Sequence, residues 1–264
     1  MTLVKRFSFL LLGITLASSA AASAPPPVRR IQQPELFLSW NAPWGEPRAS
    51  RAIVADCSDT TGEDTLYLTL RSPRNVLPLL GMTGTLLFEP QRGDTLGPFW
   101  NLDRTGANAG NLLVDFDLLS SESCSSPWKV LVGGRVGYSH VAGRGRLDIT
   151  ADVPFAHVYN LYPNECYFFG RVTLRRARAS LAGCKQPMRI SWIGGRVRSS
   201  RKGSESLVLG IGPERTVTWN APLKGIGTRR TRLAMETWVP RHAPPSHGSA
   251  PVVVAPPPGL PQAE

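Results

Sequence analysis

Histidine is nearly missing from this chain and lysine is scarce. Among 264 residues there are 4 His, and the Lys+Arg total of 30 is almost all Arg. Two of the histidines, His242 and His247, lie near the C-terminus, which leaves His140 and His157 in the middle. A catalytic triad needs a base within reach of its nucleophile. Ser139 and His140 are sequence neighbours, and neighbouring side chains on a strand point to opposite sides. No nucleophile elbow, phosphate-binding glycine loop or zinc-protease helix motif occurs. Cysteine is limited to 4 positions, no two of them closer than 18, whereas a four-cysteine zinc site needs closely spaced pairs. Past the N-terminal segment no long stretch keeps a helical period. Gly 25 and Pro 24 exclude a helical bundle or coiled coil. No catalytic residue and no cofactor is therefore indicated, and the reading leans away from an enzyme.

The two ends set the compartment. Residues 1–22 have the layout of a secretory signal peptide: Lys5 and Arg6, an apolar run from Phe7 to Leu16, then small residues with cleavage after Ala22. No cysteine follows for a lipid anchor, and the run is too short to span a membrane. The mature chain is expected outside the cytoplasm, periplasmic or extracellular, with no transmembrane segment. Residues 23–35 read as a Pro-rich linker. Residues 226–264 read as a basic, then Pro-rich, disordered tail, serving as a spacer or docking strip or as a plain loose end.

Four cysteines in an exported chain favour two disulfides with three possible pairings. Cys57–Cys124 with Cys166–Cys184 keeps the loops local and is the favoured expectation.

What the middle does have is alternation. Leu66, Leu68 and Leu70 oppose Thr65, Tyr67 and Thr69; Leu147, Ile149, Ala151 and Val153 oppose Arg146, Asp148, Thr150 and Asp152; Phe168, Val172 and Leu174 oppose Arg171, Thr173 and Arg175. Each run reads as a half-buried strand. Weaker candidates are 36–40, 52–55, 82–88, 112–116, 129–132, 188–193, 207–211 and 215–219, with Gly- and Asn-rich turns between them. The predicted fold is all-β: a two-sheet antiparallel β-sandwich over 36–225, with a possible basic extension from 194 and disordered Pro-rich ends.

The run Leu66 to Leu70, then Gly84 to Phe88, then Gly93 to Leu96 resembles the opening strands of a cohesin-like or bacterial immunoglobulin-like sandwich. Phe88-Glu89-Pro90 stands where cohesins usually have Tyr-Asp-Pro. Gly145 to Val153 and Gly170 to Arg175 match the closing strands, so the resemblance spans Asp64 to Ile193. It implies a fold and carries over no functional residue. The whole also resembles exported bacterial proteins, a resemblance that brings no activity with it.

Three features are candidates for a site. The first is a repeat: Leu38 to Pro43 reads LSWNAP and Val217 to Pro222 reads VTWNAP. Trp40, Asn41, Trp219 and Asn220 either close the domain as strand ends with core rings or form a ligand surface whose indoles stack on sugar. The second is charge. From Leu36 to Cys166 there are 10 basic and 14 acidic residues, a net −4; from Arg171 to Arg232 there are 15 basic and 2 acidic, a net +13. Arg171, Arg175, Arg176 and Arg178 open that block. They bind a polyanion such as cell-surface polysaccharide or another acidic surface, or they pair with the acidic first part. Export and the lack of a recognised module argue against nucleic acid. The third is an acidic loop, Asp56, Asp59, Glu63 and Asp64, either a calcium site or a polar turn held by Cys57. The alternating acids Asp115/Asp117 and Asp148/Asp152 read as solvated strand faces rather than a glycosidase pair. The combined expectation is a non-enzymatic binding, adhesion or surface-structural sandwich, with a carbohydrate-binding or glycan-active protein and a polyanion binder as alternatives.

Overall fold

The computed structural model describes residues 34–73, 75–117, 121–128, 132–154, 159–176, 181–199, 207–208 and 213–222. The signal peptide, most of the linker, the tail and Arg178 lie outside them. The described residues form two sheets. The smaller runs β1 (Glu35–Trp40), β3 (Glu63–Arg71), β9 (Cys166–Arg175) and β5 (Leu112–Asp115) in the order β1-β3-β9-β5. The larger runs β2 (Ala52–Ile53), β12 (Thr216–Trp219), β10 (Met188–Ser199), β4 (Val76–Pro90), β7 (Arg144–Asp152) and β6 (Gly133–Val141), in that order. Two short strands, β8 (Tyr159–Leu161) and β11 (Leu207–Val208), pair with β4 and β10. The all-β sandwich expected from the sequence is the fold, although β2 runs parallel to β12.

Alternation decides what goes inside. Leu66, Leu68 and Leu70 on β3 are buried, as are Leu147, Ile149 and Ala151 on β7. They share one core with Leu36, Leu38, Leu86, Phe88, Ile190 and Val217. Apolar area hidden between facing sheets is the main stabilising term in such a fold.

The alternation breaks on β9, as it does again between Trp192 and Gly194 on β10. A register shift between Leu68 and Thr69 places Phe168 opposite Thr69, off the face of Leu66 and Leu68. Such a bulge inverts the parity of the residues beyond it. Phe169 therefore faces the opposite sheet and stacks on Trp192 with centroids 5.4 Å apart. Gly84 makes room for this pair, since a Cβ there would lie 2.7 Å from the Phe169 ring.

The disulfides correct the favoured pairing. Cys57 joins Cys184 and Cys124 joins Cys166, at Cα–Cα distances of 5.9 and 4.6 Å. The reason is that the sandwich brings together loops remote in sequence. The Asn220 amide accepts from the Ala55 N–H and donates to the Cys184 carbonyl, both at 2.8 Å, which seats the Cys57 loop on the Cys184 loop. Cys124 lies on a segment that follows β9: the Ser125 N–H donates to the Cys166 carbonyl and the Phe168 N–H to that of Ser125. The first bridge closes 127 positions and the second 42. Each is worth at most about 5 kcal/mol by chain entropy.

Candidate functional site

The repeated WNAP segment is a local turn built twice. In both copies the residue before the Trp donates its hydroxyl to the Ala carbonyl, Ser39 to Ala42 and Thr218 to Ala221, each at 2.7 Å. In both copies the Asn is left-handed, with φ 68° at Asn41 and 52° at Asn220. Asparagine tolerates that region better than most residues do. In both, the Asn N–H donates to a neighbouring segment, Asn41 to Thr65 and Asn220 to Ile53.

The indoles point inward. Trp40 and Trp219 are both fully buried, 5.9 Å apart, among Phe99 and Trp100. The Trp40 N–H donates to the Thr218 carbonyl and the Trp219 N–H to that of Cys184. Neither ring offers a face to a sugar. The ligand surface expected at Trp40, Asn41, Trp219 and Asn220 is thus corrected to a closure device. The segment from Ser50 to Ile53 lies against both copies, bridged to Trp40 at Ser50 and laddered to β12 at Ala52 and Ile53.

The acidic loop already holds a cation. Arg176 enters it with its side chain only 7% exposed. Its guanidinium donates to the Asp56 carbonyl at 2.8 Å and lies 3.6 Å from Asp64 and 4.0 Å from Asp59. Gly62 permits this approach, because a Cβ there would stand 1.9 Å from the guanidinium. The carboxylates respond oppositely. Hydrogen bonds from Ser58 and Thr61 hold Asp56 and Asp59 below the ordinary carboxylate value. Burial pushes Asp64 up, and Arg176 only partly opposes it. Glu63 turns away to pair with Arg175. The weak calcium expectation at Asp56, Asp59, Glu63 and Asp64 is corrected on that geometry: a guanidinium stands where the ion would.

Among the described residues, the other two arginines of the predicted basic stripe are also paired. Arg171 and Arg175 share the outer face of the smaller sheet, as their alternation with Thr173 predicts. Arg171 donates to Asp115, its Nε at 2.9 Å, and Arg175 to Glu63 at 2.6 Å. The stripe thus meets the acidic first part of its own chain.

On the outer face of the larger sheet, arginines again find carboxylates. Arg144 and Arg189 share Glu89, Arg146 forks onto Asp148, and Arg198 pairs with Asp152. At the end of β6, Tyr138 and His140 both turn toward the Trp100 carbonyl, at 2.9 and 3.3 Å, and His140 lies 3.3 Å from Asp103. Burial pushes the Tyr138 phenol up, Asp103 adding to the effect. Both His140 ring nitrogens are thereby engaged. Among the described residues no group of three or more His, Cys, Asp or Glu is arranged to hold a metal. No helix among them is long and apolar enough to cross a membrane.

Sequence reasoning missed β6. Its run GGRVGYSHV is exposed on nearly every residue, so it has no apolar face to reveal it. Its register against β7 sets Arg135 opposite Thr150.

No family model matches the chain, and no curated protein matches it. The fold is similar to the second type II cohesin module from the cellulosomal adaptor ScaA scaffoldin of Acetivibrio cellulolyticus, at 13% identity and a TM-score of 0.28 over 72% of this chain and 86% of that one. It is also similar to a chain of a type II cohesin–X–dockerin complex with an N-terminal interface mutation from Acetivibrio cellulolyticus, at 12% identity and a TM-score of 0.26 over 62% of this chain and 87% of that one. Likeness at those scores carries no functional weight.

Proposed function

We propose that this chain is an exported β-sandwich that works as a binding module at the cell envelope, periplasmic or extracellular, rather than as an enzyme. The observation that supports this is the pair of long-range disulfides, which takes in all four cysteines. Such bridges persist in oxidising compartments and are rare in the cytosol, and the N-terminal pattern directs the chain to one. Several described arginines and carboxylates are held in pairs that link strands, among them Arg171 with Asp115 and Arg175 with Glu63.

The test is expression with the native leader in a bacterial host with an oxidising periplasm. A mature chain beginning after Ala22, without detectable free thiols and retained on an envelope or insoluble-glycan preparation, is the expected result. Cytoplasmic retention, or two or more free thiols in the mature protein, would contradict it.

A further inference from the structure

The outer face of the larger sheet carries two arginines that the pairing pattern leaves over. Arg135 on β6 and Arg196 on β10 are exposed. Neither guanidinium has a carboxylate partner among the described residues. They are 61 positions apart in sequence, yet the register lines them up. Arg135 is opposite Thr150, Thr150 is opposite Thr83, and Thr83 is opposite Arg196. The row crosses four adjacent strands, so the two Cα atoms are about 14 Å apart. All four side chains point outward, because Leu147, Ile149 and Ala151 on β7 and Val197 on β10 are buried on the other side.

The neighbouring row keeps this surface low. It reads Gly137, Asp148, Thr85, Gly194. A Cβ at Gly137 or at Gly194 would meet nothing within 4 Å, and Asp148 is tied down by Thr85 and Arg146. The face is thus a shallow strip with a free cation at each end and two threonines between.

We infer that the Arg135–Thr150–Thr83–Arg196 row binds an acidic polysaccharide, a sugar polymer bearing carboxylates; this rests on the binding-module reading above. Charge decides the sign of the partner. Four arginines on this face share three carboxylates, and Arg135 and Arg196 add two further positive charges. Planar guanidiniums grip carboxylates in a forked geometry. Threonine hydroxyls both donate and accept, which suits sugar hydroxyls. The row itself carries no aromatic side chain, so it lacks the stacking platform that single-stranded nucleic acid uses.

The mature protein is titrated with polygalacturonate at low and at physiological salt, with dextran as the neutral polymer and single-stranded DNA as the other polyanion. Arg135→Gln/Arg196→Gln is compared with Arg171→Gln/Arg175→Gln, which removes the same charge from paired positions. Thermal unfolding confirms that both variants are folded. Expected is salt-sensitive binding of polygalacturonate but not dextran, weakened about tenfold by the first variant and under about twofold by the second. Absence of binding, equal weakening by both variants, or tighter binding of the DNA would overturn the inference. Export and disulfide formation are read on the same preparation, so failure here leaves the envelope assignment to its own test.

Discussion

The two sheets treat their arginines differently. On the smaller sheet and its adjoining loop, Arg171, Arg175 and Arg176 each meet a carboxylate from the acidic first part of the chain. On the larger sheet, four arginines do the same and Arg135 and Arg196 do not. In the cluster that stands out along the sequence, the described arginines are the neutralised ones. The pair left over is invisible along the sequence, because cross-strand register assembles it from β6 and β10. A run of basic residues on a strand is matched by its neighbours whenever those neighbours are acidic. Charge available to a partner has to be found by subtraction, after the pairs are taken out.

This contrast can be broken most severely at Arg176. Replacing it with Met leaves Asp64 buried beside no cation, and about 3 kcal/mol of stability is expected to be lost at neutral pH in denaturant unfolding. The loss has a definite pH dependence. Burial already raises the folded pKa of Asp64 above its unfolded value. Its contribution is therefore fully present below the unfolded pKa, near 3.9, and is lost as pH rises through the folded one. Arg176→Met raises that folded value further. The variant should lie closer to wild type at pH 4 than at pH 7, and adding Asp64→Asn should restore part of the loss at pH 7. Next in size is Gly62→Ala, which forces the guanidinium out of the loop it fills. About 1–3 kcal/mol is expected from thermal or denaturant midpoints; an unchanged midpoint would show that Arg176 has another way in.

Arg171→Gln and Arg175→Gln should each lower stability by less than about 1 kcal/mol, because both pairs sit partly in water. Smallest is Arg135→Gln/Arg196→Gln, expected within about 0.5 kcal/mol of wild type. A larger loss would mean that these arginines hold the fold together.

Much of the fold was legible from one property, the period of two. Leu66 to Leu70 and Leu147 to Ala151 each bury their alternate apolar residues on one face, and both are strands. β6 was not legible, because it buries almost nothing and so carries no hydrophobic alternation. Phe168 is fully buried as expected, but the bulge at Leu68/Thr69, which no local residue choice announces, sets it opposite Thr69 and turns Phe169 toward the other sheet. The disulfide expectation failed for a similar reason. It weighed distance along the chain, whereas the Asn220 side chain brings the Cys57 and Cys184 loops together across most of it. At the candidate sites, the WNAP repeat was correctly seen as special. Which way its indoles point depends on the opposite sheet. The free arginines were legible only as members of a composition.

The most direct measurement is the salt dependence of polygalacturonate affinity for the wild-type protein and the two double-arginine variants. If Arg135 and Arg196 are the free cations, their replacement lowers the slope of log affinity against log salt, and replacing Arg171 and Arg175 leaves it unchanged. Equal slopes for all three proteins, or a lower slope only for Arg171→Gln/Arg175→Gln, would contradict the division between spent and available charge.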